Sequence, residues 1–236
     1  MALHRRAALD EREDVFRDRA EGGVALAEML LELAPRDPVV VAIPAGGVPV
    51  AVPVAERTGW PLDVAVVNKI TLPWNTEAGY GALAFDGTLR LHHALIREVG
   101  LDRAQVDEGI AHTRVKVERR VRRLRGEGGA PQVRERTAIL VDDGLASGFT
   151  MHVALLAVRA CGAGRVIVAA PTGHEVACQR LAKEAHEVVC PNVRAGLPFA
   201  VANAYERWQS VPEVVADELL RPFRARDGRW AAEGLE

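Results

Sequence analysis

Apolar and polar positions change period several times along the chain, and each change marks an element. Val15, Val24, Leu26, Met29, Leu30 and Leu33 fall into helical spacing before Pro35, which predicts a leading helix between Val15 and Leu33. Pro38–Pro44 is an apolar, β-branched run without polar alternation, the pattern of a strand buried on both faces. A helical stretch from Val48 to Arg57 comes next, then Leu62–Lys69, which reads as a further strand carrying a cation at its carboxyl end. Thr71–Gly81 mixes turn formers with Trp74 and Tyr80 and predicts an irregular loop. Ala82–Phe85 and Thr88–Leu91 read as short strands joined by a hairpin at Asp86-Gly87.

Leu101–Leu124 is predicted as the longest helix, with Val106, Ile110, Thr113, Val117, Val121 and Leu124 on one stripe. A turn-rich linker from Gly126 to Pro131 separates it from the strand Thr137–Val141. A helix through Met151, Ala154, Leu155 and Val158 is closed by Gly162; then come a strand at Arg165–Ala170, a helix at Val176–Ala185 and a strand at Glu187–Cys190. Alternating strands and helices predict an α/β fold, a doubly wound, Rossmann-like parallel sheet. Pro191–Glu236 loses the alternation, so the expected division is a core over 1–190 and a separate C-terminal segment over 191–236.

Composition narrows this picture little. A chain of 236 residues suits one α/β domain with an elaboration, and a formal net charge of −2 gives no global attraction to nucleic acid or anionic membrane. No apolar run approaches the roughly 18 residues of a membrane span, and the first residues lack a signal-like apolar segment, so a cytoplasmic protein is expected. Cys161, Cys178 and Cys190 are too widely spaced for a zinc site and read as core fillers, while His92 and His93 read as surface residues. One local exception is a basic helix over residues 114–125, with Arg114, Lys116, Arg119, Arg120, Arg122, Arg123 and Arg125. A solvated face is the first reading, with RNA or an acidic partner left open.

The densest chemistry lies at 137–151. The strand ends in Asp142-Asp143, followed by Gly144-Leu145-Ala146-Ser147-Gly148-Phe149-Thr150 and a helix. A small-residue loop entering a helix offers unpaired backbone N–H groups and a positive dipole end to an anion. Two adjacent carboxylates would repel a phosphate, so they face another part of the ligand, such as a diol or a metal-bound group. A sugar phosphate satisfies both halves. Walker A, dinucleotide-fingerprint and nucleophile-elbow loops each lack a required residue here. The strand at Pro38–Pro44 ends in a second glycine loop, Ala45-Gly46-Gly47, before its own helix.

Val141–Thr150 resembles the phosphoribosyl pyrophosphate (PRPP) motif of the type I phosphoribosyltransferases, a hydrophobic strand, two acids and a small-residue loop ending Ser-Gly-x-Thr. The resemblance implies that Asp142 and Asp143 hold the ribose hydroxyls and that Gly144–Thr150 wrap the 5-phosphate. It also implies that Gly46 and Gly47 receive pyrophosphate through backbone amides, with Mg²⁺ carried on PRPP rather than by assigned protein ligands. Ala45 departs from that pattern, where a cation is often found. Lys69, Pro73, Asn75, Glu77 and Gly79 or Gly81 resemble the substrate-side loop of an uncharacterised branch of the family. By that likeness Lys69 approaches pyrophosphate, Glu77 serves the acceptor or its proton, and Trp74 and Tyr80 lie on the acceptor side. Residues 191–236 resemble the family's hood. The expected activity is a Mg²⁺-dependent phosphoribosyltransferase acting on a small nitrogen acceptor, in a homodimer; a PRPP-sensing regulator or RNA-binding protein is the alternative.

Overall fold

The computed structural model describes residues 2–126 and 129–226. In chain order its strands are β1 (Ala2–His4), β2 (Pro38–Ala42), β3 (Leu62–Val64), β4 (Val67–Leu72), β5 (Asn75–Ala84), β6 (Leu89–Leu91), β7 (Thr137–Val141), β8 (Arg165–Ala169), β9 (Thr172–His174), β10 (Glu187–Val189) and β11 (Asn192–Arg194). The helices are α1 (Arg19–Leu33), α2 (Val48–Thr58), α3 (His93–Glu98), α4 (Arg103–Arg125), α5 (Phe149–Ala160), α6 (Glu175–Ala182) and α7 (Glu213–Arg226).

Six strands form the central sheet in the order β1-β10-β8-β7-β2-β3, every neighbouring pair parallel. Successive residues of each strand enter opposite cores, as the period of two requires. Val39, Val41, Leu140 and Val168 pack with α5 and α6 on one face; Val40, Ala42, Ile139 and Ile167 pack with α1, α2 and α7 on the other. Both faces are covered, which is why these strands read as unbroken apolar runs. The fold is α/β with a mainly parallel central sheet, as the alternation predicts.

Two sequence expectations need correction between Leu62 and Gly81. Leu62–Lys69 is not one strand. Its first part, β3, closes the sheet beside β2; after the buried pair Ala65-Val66 the chain leaves the sheet and starts β4. Lys69 therefore stands inside an antiparallel strand, paired with Ala82, and not at a carboxyl end of the central sheet. Thr71–Gly81 is no irregular loop either. It turns at Pro73-Trp74 into β5, and β4-β5-β6 form a three-stranded antiparallel unit. That unit has its own core of Ile70, Leu72, Tyr80 and Leu101, completed by Val106 and Ile110 of α4.

The basic helix is likewise less uniform than a solvated face. Arg125 is buried and paired with the buried Asp63, and it also donates to Val64 O at 2.8 Å. Arg120 joins Glu213 of α7 at 2.8 Å and also bonds Asn68. Arg114, Lys116, Arg119, Arg122 and Arg123 remain exposed. Cys178 and Cys190 are fully buried and His92 and His93 exposed, as expected. Beyond Pro191 the chain is laced to the amino-terminal residues. Phe16 bridges to Tyr205, Arg6 N donates to Pro191 O at 3.1 Å, and Leu9, Val15, Phe16, Val201, Ala204 and Tyr205 share a small core.

Candidate functional site

The sheet order reverses between β2 and β7. From β2 the chain continues to β3 on one side, whereas β7 leads to β8 and β10 on the other. Such a reversal leaves a crevice outside the carboxyl ends of the two strands, because the connections depart in opposite directions. Both candidate loops open into it. Ala42 lies opposite Val141, and Ile43 N donates to Val141 O at 2.8 Å, so the loops leave the sheet side by side.

They then press together closely enough to require glycine. A Cβ on Gly46 would collide with the Asp143 carboxylate, and one on Gly47 with the carbonyls of Val141 and Ile43. Gly46 and Gly47 are thus explained by proximity to the acid pair. Gly47 caps α2 and Gly148 caps α5, neither with a side-chain hydrogen bond. Gly148 takes φ +66°, the left-handed turn that starts α5. Two helix starts therefore aim first-turn amides at the same crevice.

The 144–150 loop is fixed from behind. Leu145 is buried, its N donates to Thr172 O at 3.0 Å, and its carbonyl accepts from His174 N at 2.8 Å. Arg180 donates to Ser147 O, and Ser147 Oγ accepts from Phe149 N at 3.3 Å. Ala146 and Ser147 are exposed, while Phe149 and Thr150 are half-buried in the first turn of α5. Val201 of the C-terminal segment rests where a Gly144 side chain would stand. Ala45 packs against the core shared by α2 and β2.

The two carboxyls occupy a costly environment. Asp143 N donates to Asp142 Oδ1 at 2.9 Å. Burial, then the neighbouring Asp143, pushes the Asp142 pKa well above the usual carboxylate range. Burial also raises Asp143, opposed by the Arg19 guanidinium. Arg19 opens α1, and its Nε lies 2.9 Å from Asp143 Oδ2. Tyr205 donates its hydroxyl to Asp143 O at 2.6 Å, and burial, then Asp143, raises the phenol pKa well above its ordinary value. A hollow of about 300 Å³ beside this cluster is lined by Asp18, Arg19, Ala20, Pro49, Arg207 and Gln209.

The remaining expected site residues belong to the β4–β5 hairpin. Tyr80 is 1% exposed, with its hydroxyl end against Gly109 of α4, so it belongs to the core of the antiparallel unit and not to an acceptor-facing surface. Trp74 is 61% exposed at the β4–β5 turn. Lys69 is exposed, its stem lying across Gly79. Glu77 lies on β5, but its side chain is outside the described residues. A hollow of about 450 Å³ lined by residues 130–134, Arg136 and Cys161 opens at the amino ends of β7 and β8, away from the acid pair. Sequence reasoning missed Arg19, since an arginine in Asp18-Arg19-Ala20-Glu21 carries no motif; only the fold brings it to Asp143.

Known proteins resemble this chain over most of its length. A family model described as the phosphoribosyl transferase domain matches residues 87–209. Proteins of two Mycobacterium tuberculosis strains, each named as a phosphoribosyl transferase, are 38% identical over 213 residues, or 89% of this chain. The chain spans about half, 48%, of the length of those curated relatives. The crystal structure of TT1426 from Thermus thermophilus superposes with a TM-score of 0.70 at 36% identity, covering 88% of this chain and 98% of that one.

Proposed function

The chain belongs to the phosphoribosyl transferase domain family, and on that premise we propose that it transfers the phosphoribosyl group of PRPP to a nitrogen acceptor, releasing pyrophosphate. The observation that carries this reading is the meeting of Gly46-Gly47 with Asp142-Asp143 at the point where the strand order reverses. One loop and helix start suits a 5-phosphate, the other a diphosphate, and the acid pair between them suits the ribose hydroxyls.

As pyrophosphate leaves, the ribose ring gains oxocarbenium character. Asp142 and Asp143, held beside the ring, orient it through its hydroxyls and stabilise the developing positive charge. The amides of the 144–150 loop fix the 5-phosphate, and those at the start of α2 receive the leaving group. Among the described residues no group of three or more His, Cys, Asp and Glu could hold a metal ion; in this proposal Mg²⁺ would come to the site with PRPP. When bound, Mg²⁺ would neutralise charge on the leaving diphosphate. Lys69 and Glu77 are proposed to act from the β4–β5 unit, Lys69 toward the diphosphate and Glu77 toward the acceptor, with the exposed Trp74 covering the acceptor.

The test is release of pyrophosphate from PRPP and Mg²⁺ against a panel of nucleobases and small amines. Acceptor-dependent release is expected; neither release nor PRPP binding would overturn the reading. A PRPP-sensing alternative rests on Ala45 and on the exposed Arg114, Lys116, Arg119, Arg122 and Arg123. Tight PRPP binding without turnover, joined to salt-sensitive RNA binding lost on neutralising Arg119, Arg122 and Arg123, would favour that alternative.

A further inference from the structure

Arg19 is buried at the start of α1, yet its guanidinium reaches two distant parts of the chain. Nε and Nη2 both lie 2.9 Å from Asp143 Oδ2, while Nη1 donates to Gln209 O at 2.8 Å. The guanidinium carbon stands 3.7 Å from the centre of the Trp208 ring. Trp208 is stacked on Tyr205 with centroids 5.4 Å apart, and Tyr205 donates to the Asp143 carbonyl at 2.6 Å. One aspartate is therefore held twice, by Arg19 at its side chain and by Tyr205 at its backbone, and Trp208 joins the two holders.

A planar guanidinium lying on an aromatic face and bonded along its edges has little freedom to turn. It does more here than neutralise charge, because both contacts to the carboxylate fall on the same oxygen. Resting on the donor-site reading above, we propose that Arg19 is the positioning residue of this site: it fixes the charge and direction of the Asp143 carboxylate, and Trp208 and Gln209 make that hold depend on a docked hood segment. The groups facing Asp143 are Asp142 from its own loop, Arg19 from α1 and Tyr205 from the hood; Gly46, before α2, brings none. Beside Arg19 stand Asp18 and Arg207, 3.8 Å apart. Without Arg19, burial acts on Asp143 with its largest opponent removed, so its carboxyl keeps a proton to higher pH.

The first arm of the test needs no ligand. Tm is measured at pH 5 and pH 8 for the wild type, for Arg19→Met, and for Arg19→Met in an Asp143→Asn background. Arg19→Met is expected to lose roughly 6 °C or more at pH 8, because a buried carboxylate is left uncompensated. The deficit should be smaller at pH 5 and smaller again in the Asn background. An equal deficit at both pH values and in both backgrounds would overturn the proposal and assign Arg19 to packing alone.

The second arm is calorimetric affinity for PRPP with Mg²⁺ at pH 6 and pH 8. Arg19→Met should lose about tenfold more affinity at pH 6 than at pH 8, because its Asp143 holds a proton at the lower pH and must release it to accept the ribose hydroxyls. Arg19→Lys should recover part of the loss, and Trp208→Leu should move the profile the same way. A pH-independent loss would overturn the proposal. Wild type that fails to bind PRPP counts against the donor-site reading instead, and the first arm then decides whether Arg19 governs Asp143.

Discussion

Asp142 and Asp143 stand side by side where burial makes ionisation costly, and one guanidinium does not remove that cost from both. The protein carries an unfavourable pair at the place where a ligand's hydroxyls would offset it. A consequence follows for stability without ligand. A carboxyl whose folded-state pKa is raised favours the folded state while it holds its proton, and that advantage is lost as pH rises through the folded value. Asp142→Asn should therefore raise Tm at pH 8, by roughly 2–4 °C for each kcal/mol relieved, with the gain shrinking toward pH 4. A gain that is constant with pH, or a loss at pH 8, would contradict this account of Asp142. The acid pair was legible because charge ends an apolar strand abruptly. Arg19 was not, since its partner lies 124 residues later and no local pattern ties them.

At the scale of elements, the β4-β5-β6 unit is where sequence and structure part. The apolar run from Leu62 crosses from the central sheet into β4 through Ala65-Val66, with neither glycine nor proline to mark the break. Gly79 and Gly81 suggested a loop, yet both serve close packing, against the stem of Lys69 and against Leu91. The two aromatic residues of that stretch then have opposite roles. Tyr80→Ala should destabilise the protein by about 3–5 kcal/mol, as large-to-small changes in a packed core do. Trp74→Ala, at an exposed turn, should stay within about 0.5 kcal/mol. Urea unfolding compares the two directly; equal costs would mean that the unit's core is wrongly placed. If Trp74 covers the acceptor, its truncation should instead raise KM for that substrate.

For the whole molecule, the central sheet was readable because strands buried on both faces leave unbroken apolar runs, and the helices between them carry their own period. Strands β1, β9 and β11 were not readable: each offers at most one large aliphatic side chain among its three residues, too little to mark an apolar run. The lacing of Phe16 to Tyr205 was hidden because it joins two segments far apart in sequence that no local pattern ties together. What the topology adds to the motif is position. It brings the Gly46-Gly47 loop and the Asp142–Thr150 loop to one crevice, so that a single sugar carrying phosphates at two positions would touch both. The most direct measurement is calorimetric titration of PRPP with Mg²⁺ into the wild type and into Asp142→Asn/Asp143→Asn, with circular dichroism as the check on folding. The wild type should bind, and the folded double variant should lose at least about 100-fold in affinity, or roughly 2.7 kcal/mol. Unchanged affinity in a folded double variant would contradict the assignment of this crevice to the phosphoribosyl donor.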